Sequence, residues 1–460
     1  MSTPLEEHRA RNLDSAEVAR LEDIIARSGV KYIYYQFISI NGRVLAKVVP
    51  AVHLRRNLEK GVQFHGTAIA DLTTDRNGVL MGGGAQAEEF TILPDTDTFA
   101  VLPWDNEIGR FFCRVYRRAD RVIDPGTPHP LDSRGLLLRT HEAFTARTGL
   151  ELRSGTEPEM SWIGEGVDVI SRPGVSPAYH GLTLDQMRPV FKRVISYAQA
   201  LGLDMVEGDY EDNSQLELNW NFDKAELTAD RLTTYRQICR QVARELGVIA
   251  SFMPKPFTGV MGNGCHHNVS LWRGGENTFC DPGTRELHVS ETAKYALGGI
   301  LQHAAGSMMI MAPTVNSYKR YSDVGLFAPT GVDWGLDNKS CSVRVSAIGR
   351  LEYKIPDASV NPYLSHTLII AAMEHGLNDR IDPGAPQQLS SYESAPSSRF
   401  DPLPTTLGDA IRVFSADSLI TSTLGQELSD LLAEYKTDEW LRYCGVVSDW
   451  EREMYLEFMP

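Results

Sequence analysis

The sequence predicts an α+β protein in two parts, a small N-terminal domain over residues 1–118 and a larger domain over 119–460. Three observations carry that prediction. At 460 residues the chain is longer than one small core needs. It opens with an amphipathic helix followed by a hairpin signal. From about residue 119 long helical periods alternate with short strand-like runs, and no internal repeat stands out.

Taken in order, DSAEVARLEDIIARS (14–28) carries Val18, Leu21 and Ile25 on one stripe, with Ser15 able to cap it and Gly29 to end it. VKYIYYQF is β-branched and aromatic, Asn41-Gly42 marks a tight turn, and RVLAKVVP is the return strand. Farther on, LLLRTHEAFTART, DQMRPVFKRVISYAQAL and DRLTTYRQICRQVAREL read as helices. Pro189 falls in the first turn of the second, and Leu232, Tyr235, Ile238 and Val242 give the third its apolar face. ELRSGTEPEMSWI, SQLELNWNF, CHHNVSLW, CSVRVSA and RLEYKIP read as strands. The Pro- and Ser-rich stretch 383–405 reads as a surface loop.

Composition narrows the function. Sixty Asp and Glu against 45 Lys and Arg give a net charge of -15, which argues against nucleic acid and against a polybasic membrane anchor. No apolar run is long enough to span a bilayer, and the charged start MSTPLEEHRARN has no apolar core of a secretory signal. The six cysteines are scattered without a CxxC pair, as in a reducing compartment, so a cytoplasmic location is expected. The glycine clusters MGGG and MGNG lack the remainder of a phosphate-binding loop and read as turns.

The chemistry-bearing signal lies in the strands. Residues two apart share a face, so Glu157 joins Glu159, and His266 joins Asn268 and Ser270 while His267 turns away. Arg350, Glu352 and Lys354 align likewise, with Arg344 just upstream. Glu211 and Glu217 share a face if YEDNSQLEL is extended. Should these faces converge, the carboxylates could not all ionise without bound cations. An oxygen-rich set with one His suits Mg²⁺ or Mn²⁺, and interleaved Arg and Lys suit a phosphoryl group in transfer. Taken singly, each Glu pair reads more readily as the solvated face of an amphipathic strand.

Spacing does not show convergence, but a resemblance bears on it. FTILPDTDTFAVLPW, GTEPEM, QLELNW, MPKPF, GNGCHHNVSL, PTVNSYKR, DNKSCSVRV, RLEYKIPDASVNPYL and VSDWEREMYL, in that order, resemble the glutamine synthetase family over nearly the whole chain. The resemblance implies an N-terminal β-grasp domain and a catalytic domain on a curved antiparallel sheet. It also implies a homo-oligomeric ring, commonly a dodecamer, with active sites shared between subunits. It implies two divalent ions, Mg²⁺ or Mn²⁺, one held by Glu159, Glu211 and Glu217 and the other by Glu157, His266 and Glu352. By the same resemblance Arg320 grips the α-carboxylate of glutamate, and Lys339 and Arg344 steady the phosphoryl group. Ser270, Asn268, Arg350 and Lys339 fall near ATP. Gly262, Lys354 and Ser39 fall near the substrates.

Departures from the family pattern redirect the expected substrate. Ser39 in FISING stands where ammonia-using members carry Asp, and the segment after NSYKR, YSDVGLFAPT, has no flap Glu. Lys354 replaces an arginine and cannot make its bidentate fork. Met261 and Asn268 also differ, and the YEDNSQLE loop is one residue short, which leaves Asp209 or Asp212 as substitutes for Glu211. These changes resemble the branch that joins glutamate to organic amines. The expected activity is an ATP-dependent glutamate–amine ligase working through γ-glutamyl phosphate. Loss of two carboxylates, with Leu326 and Phe327 nearby, leans toward a neutral apolar amine such as an aniline, with polyamines and small alkylamines open. The alternatives are glutamine synthetase proper, or an inactive relative kept for assembly or regulation.

Overall fold

A computed structural model describes residues 2–167, 178–212, 214–280, 289–322, 327–393 and 399–457. Leu326, weighed above for the amine, lies outside the described residues. Two sheets organise the chain. The first is built from β1 (Tyr32–Ile38), β2 (Val44–Pro50), β3 (Val62–Phe64), β4 (Phe90–Pro94), β5 (Ala100–Leu102) and β6 (Asp105–Arg117), in the order β2-β1-β6-β4-β3 with β5 beside β6. β1 runs parallel to β6, and the other pairs are antiparallel. Helix Ser15–Ser28 buries Val18 and Leu21, and Gly29 ends it in the left-handed region at φ 73°. Its cap is Asp14 rather than Ser15: the Asp14 carboxylate accepts from the Ala16 and Glu17 amides, so the helix starts one residue earlier. The Asn41-Gly42 turn forms as expected: Ser39 pairs with Arg43, and Gly42 takes φ 76°.

The second sheet holds β7 (Glu151–Ile163), β8 (Met205–Tyr210), β9 (Gln215–Trp220), β10 (Asp223–Lys224), β11 (Ile249–Ser251), β12 (Cys265–Arg273), β13 (Glu276–Asn277), β14 (Trp334–Leu336), β15 (Val343–Val345) and β16 (Leu351–Tyr353). Its main path is β14-β15-β16-β12-β7-β9-β8, antiparallel except where β14 meets β15. β7 lies at its centre, and its residues alternate half-buried and buried from Glu151 to Met160. The buried face packs on helices Ala225–Leu246 and Pro362–Asp379. Thr228 donates to the Ser154 carbonyl at 2.6 Å, and His366 and Ser154 meet at 2.8 Å. His267, which turns away from the site face, is fully buried and stacks on His366 at 4.6 Å. The opposite face of β7 is left free for polar side chains.

One expectation fails here. YEDNSQLEL is not one extended run. The chain reverses after Tyr210, with Ser214 at φ 65° and the Gln215 amide donating to the Asp212 carbonyl at 2.7 Å. Glu211 and Glu217 therefore sit on opposite arms of a hairpin. The Glu211 amide donates to the Gln215 carbonyl and the Gln215 amide to that of Asp212, and this local pairing outweighs the alternation read from the flanking residues.

Candidate active site

Strand pairing decides which side chains meet. Across β7 and β12 Glu157 faces His266, across β12 and β16 Asn268 faces Glu352, and across β16 and β15 Glu352 faces Arg344. On the other side of β7, Glu159 faces Glu217 of β9, and Glu217 faces Asp209 of β8. Directly paired residues project from the same side of a sheet, so this row forms one acidic face.

Glu157, His266 and Glu352 close into a cluster whose donor atoms lie within 4.8 Å of one another, the one such group of His, Cys, Asp and Glu among the described residues. His266 Nδ1 is 3.5 Å from Glu157 Oε2 and 3.3 Å from Glu352 Oε1. Arg344 Nη1 donates to Glu352 at 3.0 Å, and Asn268 Nδ2 donates to Glu157 at 2.8 Å. Burial pushes the Glu352 carboxyl upward, but the hydrogen bond and charge of His266, then Lys354 and Arg344, hold it below the usual range. Burial pulls His266 down, and its bonds to Glu157 and Glu352 raise it overall.

The second acidic group behaves differently. Burial, then Glu157 and Glu159, push Glu217 well above the ordinary carboxylate range. Burial, then Glu159 and Asp209, push Glu211 up to about 7. Asp209 is raised by burial, then Glu207 and Glu159, and its buried Oδ1 has no hydrogen-bond partner among the described residues. Glu159 accepts from the Gly264 amide at 2.5 Å and from Gln215 at 3.1 Å, and Glu217 from Asn219 at 2.6 Å. Carboxylates whose pKa values burial and crowding raise, beside an orphaned oxygen, fit hard divalent cations such as Mg²⁺ or Mn²⁺.

The other expected residues divide. Arg320, 5 % exposed, spreads its guanidinium beside His266 Nε2 and the carbonyls of Lys354 and Ile355, each at 3.3 Å. Gly264 must lack a side chain there, since a Cβ would lie 2.9 Å from Arg320 Nη2 and 3.0 Å from His266 Nε2. Gly262 is equally constrained, with the Pro254 carbonyl 2.5 Å from where a Cβ would sit. Asn268, Ser270 and Arg350 line one cleft of about 300 Å³ together with Glu157. Lys339 is exposed, with its ammonium 5.5 Å from the Phe327 ring. Lys354 is buried, and its ammonium donates to the carbonyls of Phe327 and Lys339; burial lowers it to about 8. It braces two loops from within. Ser39 is fully buried in its own hairpin, accepting from the Arg43 amide at 3.2 Å.

Sequence reasoning passed over the aromatic walls of the cleft. Phe222 and Trp272 lie 5.7 Å apart there, and Trp272 Nε1 donates to Ser270 at 2.9 Å. Trp272 continues the two-residue period from Ser270, and Asn219 that from Glu217, so the signal was present.

Residues 131–455 match the family of glutamine synthetase catalytic domains. The chain belongs to the glutamine synthetase family. Among curated relatives of this glutamine synthetase family member is a glutamate–methylamine ligase of Methyloversatilis universalis, 34% identical over 453 residues, which span 95% of this chain and 98% of that one. A glutamine synthetase of Rhizobium meliloti is 32% identical over 450 residues, covering 95% and 99%. Among solved structures, one titled as a GmaS–ADP complex superposes with TM-score 0.84 at 32% identity, covering 95% of this chain and 99% of that one. The α+β architecture is that of the family. Among the described residues no helix is long and apolar enough to cross a membrane.

Proposed function

We propose that this protein is an ATP-dependent ligase that joins glutamate to an organic amine, forming a γ-glutamyl amide through γ-glutamyl phosphate. The observation that carries the reading is the Glu157–His266–Glu352 cluster beside a cleft walled by Ser270, Trp272 and Phe222. In this reading the cleft takes the nucleotide. Glu157, His266 and Glu352 hold one divalent ion, and Glu159 and Glu217 hold a second, with Glu211 or Asp209 as third ligand. When bound, the ions offset charge on the phosphates and on the acyl phosphate.

The protein's own part is positioning and charge. Arg320 holds the α-carboxylate of glutamate, and Gly262 and Gly264 let the backbone pass close against Arg320 and so fix where its guanidinium sits. A γ-carboxylate oxygen attacks the γ-phosphorus of ATP, and ADP leaves. Arg344, anchored on Glu352, and the exposed ammonium of Lys339 stabilise the transferring phosphoryl group. The amine nitrogen then attacks the acyl carbon, phosphate departs with the C–O electron pair, and the nitrogen loses a proton. Lys354 keeps the Phe327 and Lys339 loops in place rather than touching substrate.

For the amine, a small primary alkylamine is the first reading. Such an amine arrives as a cation, and in this reading whichever of Asp209 and Glu211 does not ligate the second ion meets it, once the bound ions have lowered the raised pKa values of these carboxyls. The likeness to a methylamine-using ligase supports it. The second reading, an arylamine, rests on the Phe327 ring, 47 % exposed. Ring assembly, a domain boundary near residue 118 and a cytoplasmic location belong to the same proposal. Phosphate release with ATP, Mg²⁺, glutamate and a panel of methylamine, longer amines, aniline and ammonia tests it. An organic amine should outpace ammonia at equal concentration; ammonia outpacing every organic amine would refute the assignment.

A further inference from the structure

A separate cavity of about 570 Å³ shares no residue with the nucleotide cleft. It opens between the β1–β2 turn, helix Ala225–Leu246 and the C-terminal helix Gln426–Cys444. Five basic side chains line it, Arg43, Arg236, Arg240, Lys436 and Arg442, against the acids Asp438 and Glu439. Both acids are already matched, Asp438 by Arg442 at 2.6 Å and Glu439 by Lys436 at 3.0 Å.

Arg43, largely exposed, forms a long ion pair with Asp71 at 3.9 Å, and two further guanidinium groups have no carboxylate partner among the described residues. Arg240 has only the Phe252 ring, 5.6 Å away, among the described residues. Arg236, 8% exposed, donates to the carbonyls of Val360 and Ala358, and its buried Nε has no hydrogen-bond partner among the described residues. Burial, and after it the charge of Arg43, push Arg240 downward, as expected where like charges share a cavity. In a chain of net charge -15, a concave site with unmatched arginines is a local reversal of sign. Phe252, Met253 and Met309 give it an apolar wall.

We propose that this cavity binds a small multivalent anion with a short apolar body, bridging Arg43, Arg236 and Arg240. Dicarboxylates and organic phosphates share that chemistry, since arginine pairs with either in bidentate fashion. The bound anion ties the turn that carries Ser39 and Arg43 to two helices of the larger domain. Occupancy therefore stiffens the junction between the two sheets, which makes the site regulatory in character.

The test uses the full chain in EDTA, so that metal-dependent binding in the catalytic cleft is absent. Glutarate and glycerol 3-phosphate are the two probes, each compared with NaCl of equal ionic strength. At least one should raise Tm by about 2 °C or more over NaCl, in the wild type and in Arg350→Gln, which alters the nucleotide cleft only. Titration calorimetry with that probe should show affinity reduced at least about tenfold in Arg43→Gln and Arg240→Gln, the loss of one charge-assisted pair. Which probe responds identifies the source. Both variants change exposed side chains, and a wild-type Tm in NaCl verifies their folding. The proposal is overturned if neither probe exceeds NaCl, or if Arg240→Gln binds like the wild type.

Discussion

Replacing Glu217 by Gln should stabilise the metal-free protein and remove part of its response to Mg²⁺. Glu217 faces Glu159 across β7–β9 and Asp209 across β8–β9, and burial, then the charges of Glu157 and Glu159, raise its pKa well above 4.5. The sign follows from linkage. A carboxyl whose folded pKa is raised keeps its proton after the unfolded chain has lost its own, so stability falls as pH climbs from about 4.5 toward the folded value. Above that window, a folded pKa one pH unit higher than the unfolded one costs about 1.4 kcal/mol. Glutamine has the same shape and can still accept from Asn219, which lies 2.6 Å away, so it removes the cost without opening a cavity. In EDTA at pH 8, Glu217→Gln should therefore be more stable than the wild type, with a Tm advantage that grows as pH rises from 5 to 8. Saturating Mg²⁺ should reverse the order, because the wild type gains about 2.7 kcal/mol at a hundredfold excess over Kd. Differential scanning calorimetry between pH 5 and 8.5, with EDTA or Mg²⁺, reads both. A variant less stable than wild type in EDTA, or one keeping the whole Mg²⁺ response, would refute the reasoning.

Three further outcomes are expected. Mg²⁺ affinity, measured by titration calorimetry, should weaken by up to about tenfold for each pH unit below about 7, because the Glu211 carboxyl, raised to about 7, takes up a proton that metal must displace. Trp272→Ala should raise KM for ATP about fivefold to fiftyfold with a smaller change in KM for glutamate, since it removes a ring facing Phe222 in the cleft. Arg344→Lys should lower kcat more than about tenfold while leaving Mg²⁺-dependent ATP binding measurable, because lysine lacks the fork that reaches Glu352 and Asp337 at 3.0 Å each.

The acidic face was legible because strand alternation is a local property. Glu157 and Glu159 on β7, His266 and Asn268 on β12, and Glu352 on β16 followed from the two-residue period and needed only the order of strands to meet. That order is not local: the β12–β7 and β7–β9 pairings join residues more than fifty positions apart, and only a resemblance or coordinates could supply it. The EDNS turn failed for the complementary reason. Alternation was counted through residues whose side chains and backbone prefer a reversal, and Ser214 takes a positive φ that no hydropathy pattern signals.

Lys354 shows what a residue's identity leaves open. By spacing it continues the face of Arg350 and Glu352, and a cation there reads as a substrate contact. The structure gives its ammonium two carbonyl acceptors, from Phe327 and Lys339, in a buried setting. A lysine that is 2% exposed and hydrogen-bonded to two loops costs less to bury than one aimed at an empty pocket. Its charge still counts, because it helps hold Glu352 ionised beside His266. Its ammonium thus acts as a post that fixes the Phe327 and Lys339 loops. Phe327 is itself held at φ 58°, a strained value for a residue with a side chain, and the Lys354 bond to its carbonyl helps to maintain it. Lys354 and the half-exposed ring of Phe327 are therefore linked through one hydrogen bond, so a change at position 354 should also shift the loop that carries Phe327.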